Sequence, residues 1–208
     1  MTSSNPTIGT KVGRARRSLG QLWQVPTFFL GLVALAGAAA SAPWRHSPEW
    51  WQFEELTTAI RHGLDQGMDP DDLVAQAERT LQQVEKFPSR SAEAHFLAGS
   101  AYYRQGQQTQ PPLAKAVWAR AVEQLEQAGV LGVAAKDEAR LRYRLGYCLY
   151  QQGKDVPRAL GLMAEAVEKG AEQPLQGYQL LVRANLERRP PNLDGALDAS
   201  VRVLDLTA

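Results

Sequence analysis

Residues 95–102 read HFLAGSAY and residues 142–149 read RYRLGYCL. The first stretch is His95-x-x-Ala98-Gly99-x-x-Tyr102, and Ala114-x-x-x-Trp118-x-x-Ala121 follows it. The second is Arg142-x-x-Leu145-Gly146-x-x-Leu149, followed by Ala159-x-x-x-Met163-x-x-Ala166. A weaker third copy puts Leu181 where the glycines stand, with Ala184 three residues on and Ala196-x-x-x-Ser200-x-x-Val203 after it. An ordered recurrence of two helical signatures marks a repeat architecture rather than a single bundle. Gly99 and Gly146 let the first helix of a pair approach the second. Ala114 and Ala159 do the same from the other side, and Trp118 and Met163 fill the space between pairs.

The flanking sequence supports pairs of helices. Ser47-Pro48-Glu49 offers a cap, a proline at the first helical position and an acid in the first turn. Phe53, Leu56, Ile60 and Leu64 then fall on one stripe, which Gly67 ends. Asp69-Pro70-Asp71-Asp72 starts a second helix, with Leu73, Ala77, Leu81 and Val84 on one face up to Phe87-Pro88. Neither helix can bury its stripe alone, so a hairpin over 47–88 is expected. Further pairs are expected over about 89–130, 137–172 and 174–208. No alternating strand pattern competes with this reading after Pro48.

These residues resemble the tetratricopeptide repeat over roughly 89–208, with 47–88 as a degenerate leading pair. The spacing departs from the family: Gly99 to Gly146 spans 47 residues and Gly146 to Leu181 spans 35, against a period of about 34. The extra length falls in the turn over 107–112 and around 129–137. Trp118-Ala119-Arg120-Ala121 and Glu168-Lys169-Gly170 are also similar to the longer-period SEL-type repeats. Either resemblance implies an all-α solenoid of antiparallel helix pairs.

By the same resemblance, Gly99, Tyr102, Ala114, Trp118, Ala121, Gly146, Ala159, Met163 and Ala166 are packing positions. The groove-facing positions of the first copy are Phe96, Ser100, Tyr103 and Arg104. Those of the second are Tyr143, Tyr147, Tyr150 and Gln151, and those of the third are Tyr178, Val182, Asn185 and Leu186. Aromatic rings with a polar tip suit a protein or peptide partner, because they give large contact area at low entropic cost. The Lys and Asn pattern with which chaperone-docking members clamp a terminal carboxylate is missing from these positions.

The chain has 208 residues, 44% hydrophobic and 22% charged, too apolar to be disordered throughout. Its net charge of +1 conceals a split: no acid precedes Glu49, so residues 1–48 carry +5 and the remainder −4. Between Arg17 and Arg45 lie 27 uncharged residues. The run from Val25 to Ala42, VPTFFLGLVALAGAAASA, has the length and apolarity of a membrane helix. Trp23 and Trp44 bracket it about 31 Å apart on a helical rise of 1.5 Å per residue. A transmembrane helix over 22–44 is therefore expected ahead of the solenoid, with residues 1–21 as a basic cytoplasmic tail.

The four basic residues before the run predict the amino terminus inside and the repeats on the extracytoplasmic, periplasmic side of an inner membrane. Ala38-Ala39-Ala40 and Ala40-Ser41-Ala42 are small-residue cleavage sites, and Arg16-Arg17 resembles a twin-arginine signal. The length of the apolar run and Pro43 favour an uncleaved anchor. Small residues at Ala34, Gly37 and Ala38 would let two anchors pack closely.

Chemistry is not indicated. His46, His62 and His95 lack a second ligand at helical spacing, the lone Cys148 sits two residues after Gly146 on the buried face, and the paired acids stand at helix starts. Without a phosphate loop, nucleophile elbow or HExxH, neither an enzyme nor a metal or other cofactor is expected, and the acidic body gives no reason to expect nucleic acid. The expected function is a membrane-anchored protein-interaction scaffold, with assembly or chaperone-like work. The alternative starts from apolar Leu197, Val201, Val203, Leu204 and Leu206, which lack the solvated outer face of a solenoid cap. It is a self-associating structural protein, or the front of a longer array.

Overall fold

The computed structural model describes residues 47–171 and 174–208, and it is helical throughout these residues apart from turns. Eight α-helices follow one another: α1 (Pro48–Gln66), α2 (Pro70–Leu81), α3 (Ser91–Gln108), α4 (Ala114–Leu131), α5 (Ala135–Gln152), α6 (Val156–Glu168), α7 (Pro174–Glu187) and α8 (Leu193–Thr207). Two short 3-10 turns, Val84–Lys86 and Pro88–Arg90, join α2 to α3.

Local chemistry sets the boundaries. The Asp69 side chain accepts a hydrogen bond from the Asp71 N–H, and Pro70 occupies the first turn of α2, where its missing N–H costs nothing. Gly153, at φ +67°, ends α5 in the left-handed region that favours glycine, and its N–H returns to the carbonyl of Tyr150. Asp155 caps α6 by accepting from the Arg158 N–H, and Asn192 caps α8 by accepting from the Gly195 N–H.

Each helix packs chiefly on the next, most extensively α3 on α4, α5 on α6 and α7 on α8. That order is compatible with an α-solenoid of stacked hairpins. The first helices also meet across pairs, α1 with α3 and α3 with α5. An ion network holds this side together: Arg61 of α1 donates to Glu93 of α3 at 2.8 Å and reaches Asp137 of α5 at 3.3 Å, while Arg90 pairs with Glu54 and Glu93. The buried Asp137 carboxylate is thus neutralised by a residue 76 positions away.

All nine expected packing residues are buried. A Cβ at Gly99 would meet Leu125 at 2.6 Å, and one at Gly146 would lie 2.6 Å from the Ala159 carbonyl oxygen. Helices α3 and α5 can therefore lie this close to α4 and α6 only because no side chain is present at these positions. Gly106 plays the same part against the Trp118 ring, at 2.6 Å. Part of the long spacing between the first two copies lies in α4, which has 18 residues where α6 has 13, and the rest lies in the longer α3 and α5 segments that flank it.

One part of the expected fold is corrected. The sequence suggests a transmembrane helix ahead of the helix pairs, but no helix among the described residues is long and apolar enough to cross a membrane. The helices present have a charged or polar face, as amphipathic helices packed in pairs must. The stretch 22–44, like the expected tail 1–21, lies outside the described residues.

Candidate functional site

Helices α3, α5 and α7 line one side of the array, and a pocket of about 290 Å³ opens across them. Its walls are Tyr103, Arg104 and Gln107 from α3, Tyr143 and Tyr147 from α5, and Gln176 and Leu180 from α7. Residues 103, 104 and 107 share one face of α3 because positions three and four apart are helical neighbours. Tyr143 and Tyr147 share a face of α5, and Gln176 and Leu180 a face of α7, for the same reason.

The aromatic part is rigid. Tyr103 meets Tyr147 edge-on at 5.4 Å between ring centroids, and the buried Trp118 of α4 contacts them at 6.1 and 5.6 Å respectively. These separations lie in the range of favourable aromatic pairs. Burial pushes the Tyr103 hydroxyl well above its ordinary value, with Tyr143 adding to the effect, and burial also raises Tyr147. Tyr103 and Tyr147 are therefore neutral at physiological pH. The Gln107 amide donates to the Tyr103 hydroxyl at 2.9 Å, fixing the ring edge that faces the pocket.

Two guanidiniums stand at or beneath the site. Arg144, 7% exposed, lies beneath the aromatic wall with its guanidinium carbon 5.6 Å from the Phe96 ring centre and 5.7 Å from that of Tyr103. Arg104 stands at the lip and makes no ion pair or hydrogen bond with any described residue. Among the described residues, no carboxylate lines the pocket.

Of the expected groove residues, Tyr103, Arg104, Tyr143 and Tyr147 come together here. Phe96 and Ser100 do not: both are buried, and the Ser100 hydroxyl donates to the Phe96 carbonyl at 2.6 Å. Helix α3 is packed by α1, α2, α4 and α5, so a face that an isolated repeat would leave open is covered. The Tyr150 hydroxyl donates to Glu187 of α7 at 2.9 Å, outside the pocket. Tyr178 lines a different, wider groove of about 600 Å³ between α6, α7 and α8, together with Leu160, Leu181 and Asn185. Gln107, Gln176, Leu180 and the underlying Arg144 were not singled out from the sequence. Gln107 could have been found as the residue one helical turn after Tyr103.

Elsewhere the chemistry is structural. Cys148 is buried, and burial raises its thiol well above the usual range. His95 Nδ1 shares a 2.8 Å hydrogen bond with the Gln124 amide oxygen. Among the described residues, no group of three or more His, Cys, Asp or Glu side chains is placed to hold a metal ion.

No family model, curated protein or solved structure matches the chain. The tetratricopeptide resemblance accordingly rests on the sequence pattern itself.

Proposed function

We propose that the protein is a non-enzymatic protein-interaction scaffold whose helix pairs, of tetratricopeptide or SEL-like kind, present the α3/α5/α7 pocket to a peptide segment of a partner. The observation that carries this reading is the pocket itself, where three tyrosines and two glutamines from three successive first helices surround one cavity. Tyrosine supplies amphipathic contact area with little rotamer entropy to lose, and the amides can pair with a peptide backbone. The packed triad of Tyr103, Trp118 and half-buried Tyr147 lowers the ordering cost that a floppy groove would incur on binding. Assembly or chaperone-like work fits a scaffold of this kind.

Its place of action is a separate proposal resting on sequence alone. The +5 charge of residues 1–48 against −4 for the rest supports an extracytoplasmic site at an inner membrane.

Photo-crosslinking tests the groove. Peptides selected against the full chain from a random display library, and carrying benzoyl-phenylalanine themselves, should crosslink to residues of the pocket and not to α4 around Ala119, which is exposed. Equal crosslinking to the two places would reject the pocket as the binding site.

Self-association is a second reading, favoured by one observation. Leu193, Leu197 and Leu204 on α8 are 67%, 65% and 66% exposed, whereas Leu160 and Val167, which hold the corresponding places on α6, are buried. A stripe that α7 covers in one pair is thus open in the next. Light scattering of the full chain and of Leu197→Asp/Leu204→Asp would separate the readings, because self-association predicts a larger particle for the wild type alone.

A further inference from the structure

We propose that the partner segment is acidic, and that Arg104 reads an Asp or Glu side chain within it; this rests on the groove reading above. The helical body carries a net −4, so its surface as a whole repels an acidic peptide. The pocket runs against that background. Among the described residues, its lining holds one guanidinium, that of Arg104, and no carboxylate. A concave site lined by one sign of charge concentrates the field inside it and draws in the opposite charge.

Arg104 differs from most other arginines on the array in how it is used. Arg61, Arg90, Arg120, Arg142, Arg158, and Arg183 each pair with a carboxylate of the chain. Arg104 makes no such pair with any described residue, although it occupies the lip of a pocket. A planar fork of N–H donors left open beside hydroxyl and amide groups matches a carboxylate, which can accept two parallel hydrogen bonds from it. The Tyr147 hydroxyl, Gln107 and Gln176 can add neutral donors around the same anion.

The carboxylate belongs to a side chain inside the segment. On one side of Arg104 the surface continues over Tyr143, Tyr147 and Leu180. On the other it reaches the Gly67 turn, where a Cβ would stand 3.3 Å from the Arg104 Nη2. Gly67 carries no side chain to close that end, which suits a segment that continues past the cation.

The test uses fluorescein-labelled heptapeptide pools, random except for a central Asp in one and Asn in the other, each made with an amidated and a free carboxyl terminus. Fluorescence anisotropy with the full chain should show the amidated Asp pool binding about 10–100-fold tighter than the amidated Asn pool, the range expected of a charge-assisted pair. Arg104→Gln should remove that preference, and Arg104→Lys should retain part of it. Asp and Asn pools that bind the wild type equally would overturn the acidic-partner proposal while leaving the groove reading standing. Discrimination that survives in Arg104→Gln would overturn the assignment to Arg104. A free-acid Asn pool that equals the amidated Asp pool would overturn the side-chain source in favour of a terminus. Failure of every pool to bind would overturn the groove reading together with this proposal.

Discussion

Two glycine-to-alanine substitutions in neighbouring helices isolate the packing on which the stacked-pair fold depends. Gly146 and Gly161 both lie inside helices, α5 and α6, so replacing either by alanine gains the same backbone term, about 0.5–1 kcal/mol. Their surroundings differ. A Cβ at Gly161 meets nothing within 4 Å, whereas one at Gly146 lies 2.6 Å from the Ala159 carbonyl oxygen and 2.8 Å from the Met163 Cγ. The nearer atom is backbone and cannot swing aside, so α5 and α6 must separate. Overpacking of this kind costs about 1–3 kcal/mol. Gly161→Ala should therefore be more stable than the wild type by about 0.5–1 kcal/mol, and Gly146→Ala should fall below Gly161→Ala by about 1–3 kcal/mol. Subtracting the two variants cancels the propensity term and leaves the packing cost. Urea unfolding followed by circular dichroism reads this difference, and on heating a 2 kcal/mol gap corresponds to roughly 4–8 °C for a unit of this size. Equal shifts in the two variants would refute the close approach at Gly146.

The same helices show how much the sequence reveals. Paired signatures at Gly99 and Gly146 are legible because a helix contact at backbone distance demands the smallest residue, and the demand recurs at each pair. Gly106 answers it too, two turns beyond Gly99 on the same face, but the repeat pattern does not call for it. Groove residues are harder to read. Tyr103, Arg104, Tyr143 and Tyr147 reach one pocket, yet Phe96 and Ser100 share their helical face and are buried, because how far a neighbouring helix wraps over α3 depends on contacts distant in sequence. Arg61, Glu93 and Asp137 illustrate this. Their network ties α1, α3 and α5 together over 76 positions, and no local spacing announces it. Tyr178 lies on the expected helix but faces a different groove, since rotating a helix by about 100°, one residue's worth, redirects a side chain.

Other consequences can be measured on the same chain. Trp118→Ala should destabilise by about 3–5 kcal/mol, because it empties a buried site against Gly106, Tyr103 and Tyr147, whereas Trp51→Ala, at a residue 64% exposed, should stay within about 0.5 kcal/mol in urea titrations. Burial raises the Glu93 carboxyl, but hydrogen bonds from Arg90 and Arg61 outweigh it and hold the group below the usual carboxylate range. Its contribution is then complete above the unfolded pKa of about 4.3 and is lost as pH falls through the lower folded value. The stability gap between wild type and Glu93→Gln should accordingly be wider at pH 7 than at pH 3. Cys148, buried with its thiol pushed up, should react with a thiol reagent only at the rate of unfolding; immediate reaction of the native chain would place it at the surface.

The central claim is that the pocket across α3, α5 and α7 is where a partner peptide sits. Gln176→Trp tests it most directly, because Gln176 is exposed and lines the pocket, so a tryptophan there crowds the site without disturbing the core. For peptides selected on the wild-type chain, binding measured by fluorescence anisotropy should weaken at least about tenfold, or 1.4 kcal/mol, while circular dichroism and the urea midpoint stay unchanged. Undiminished affinity in a folded Gln176→Trp protein would contradict the account.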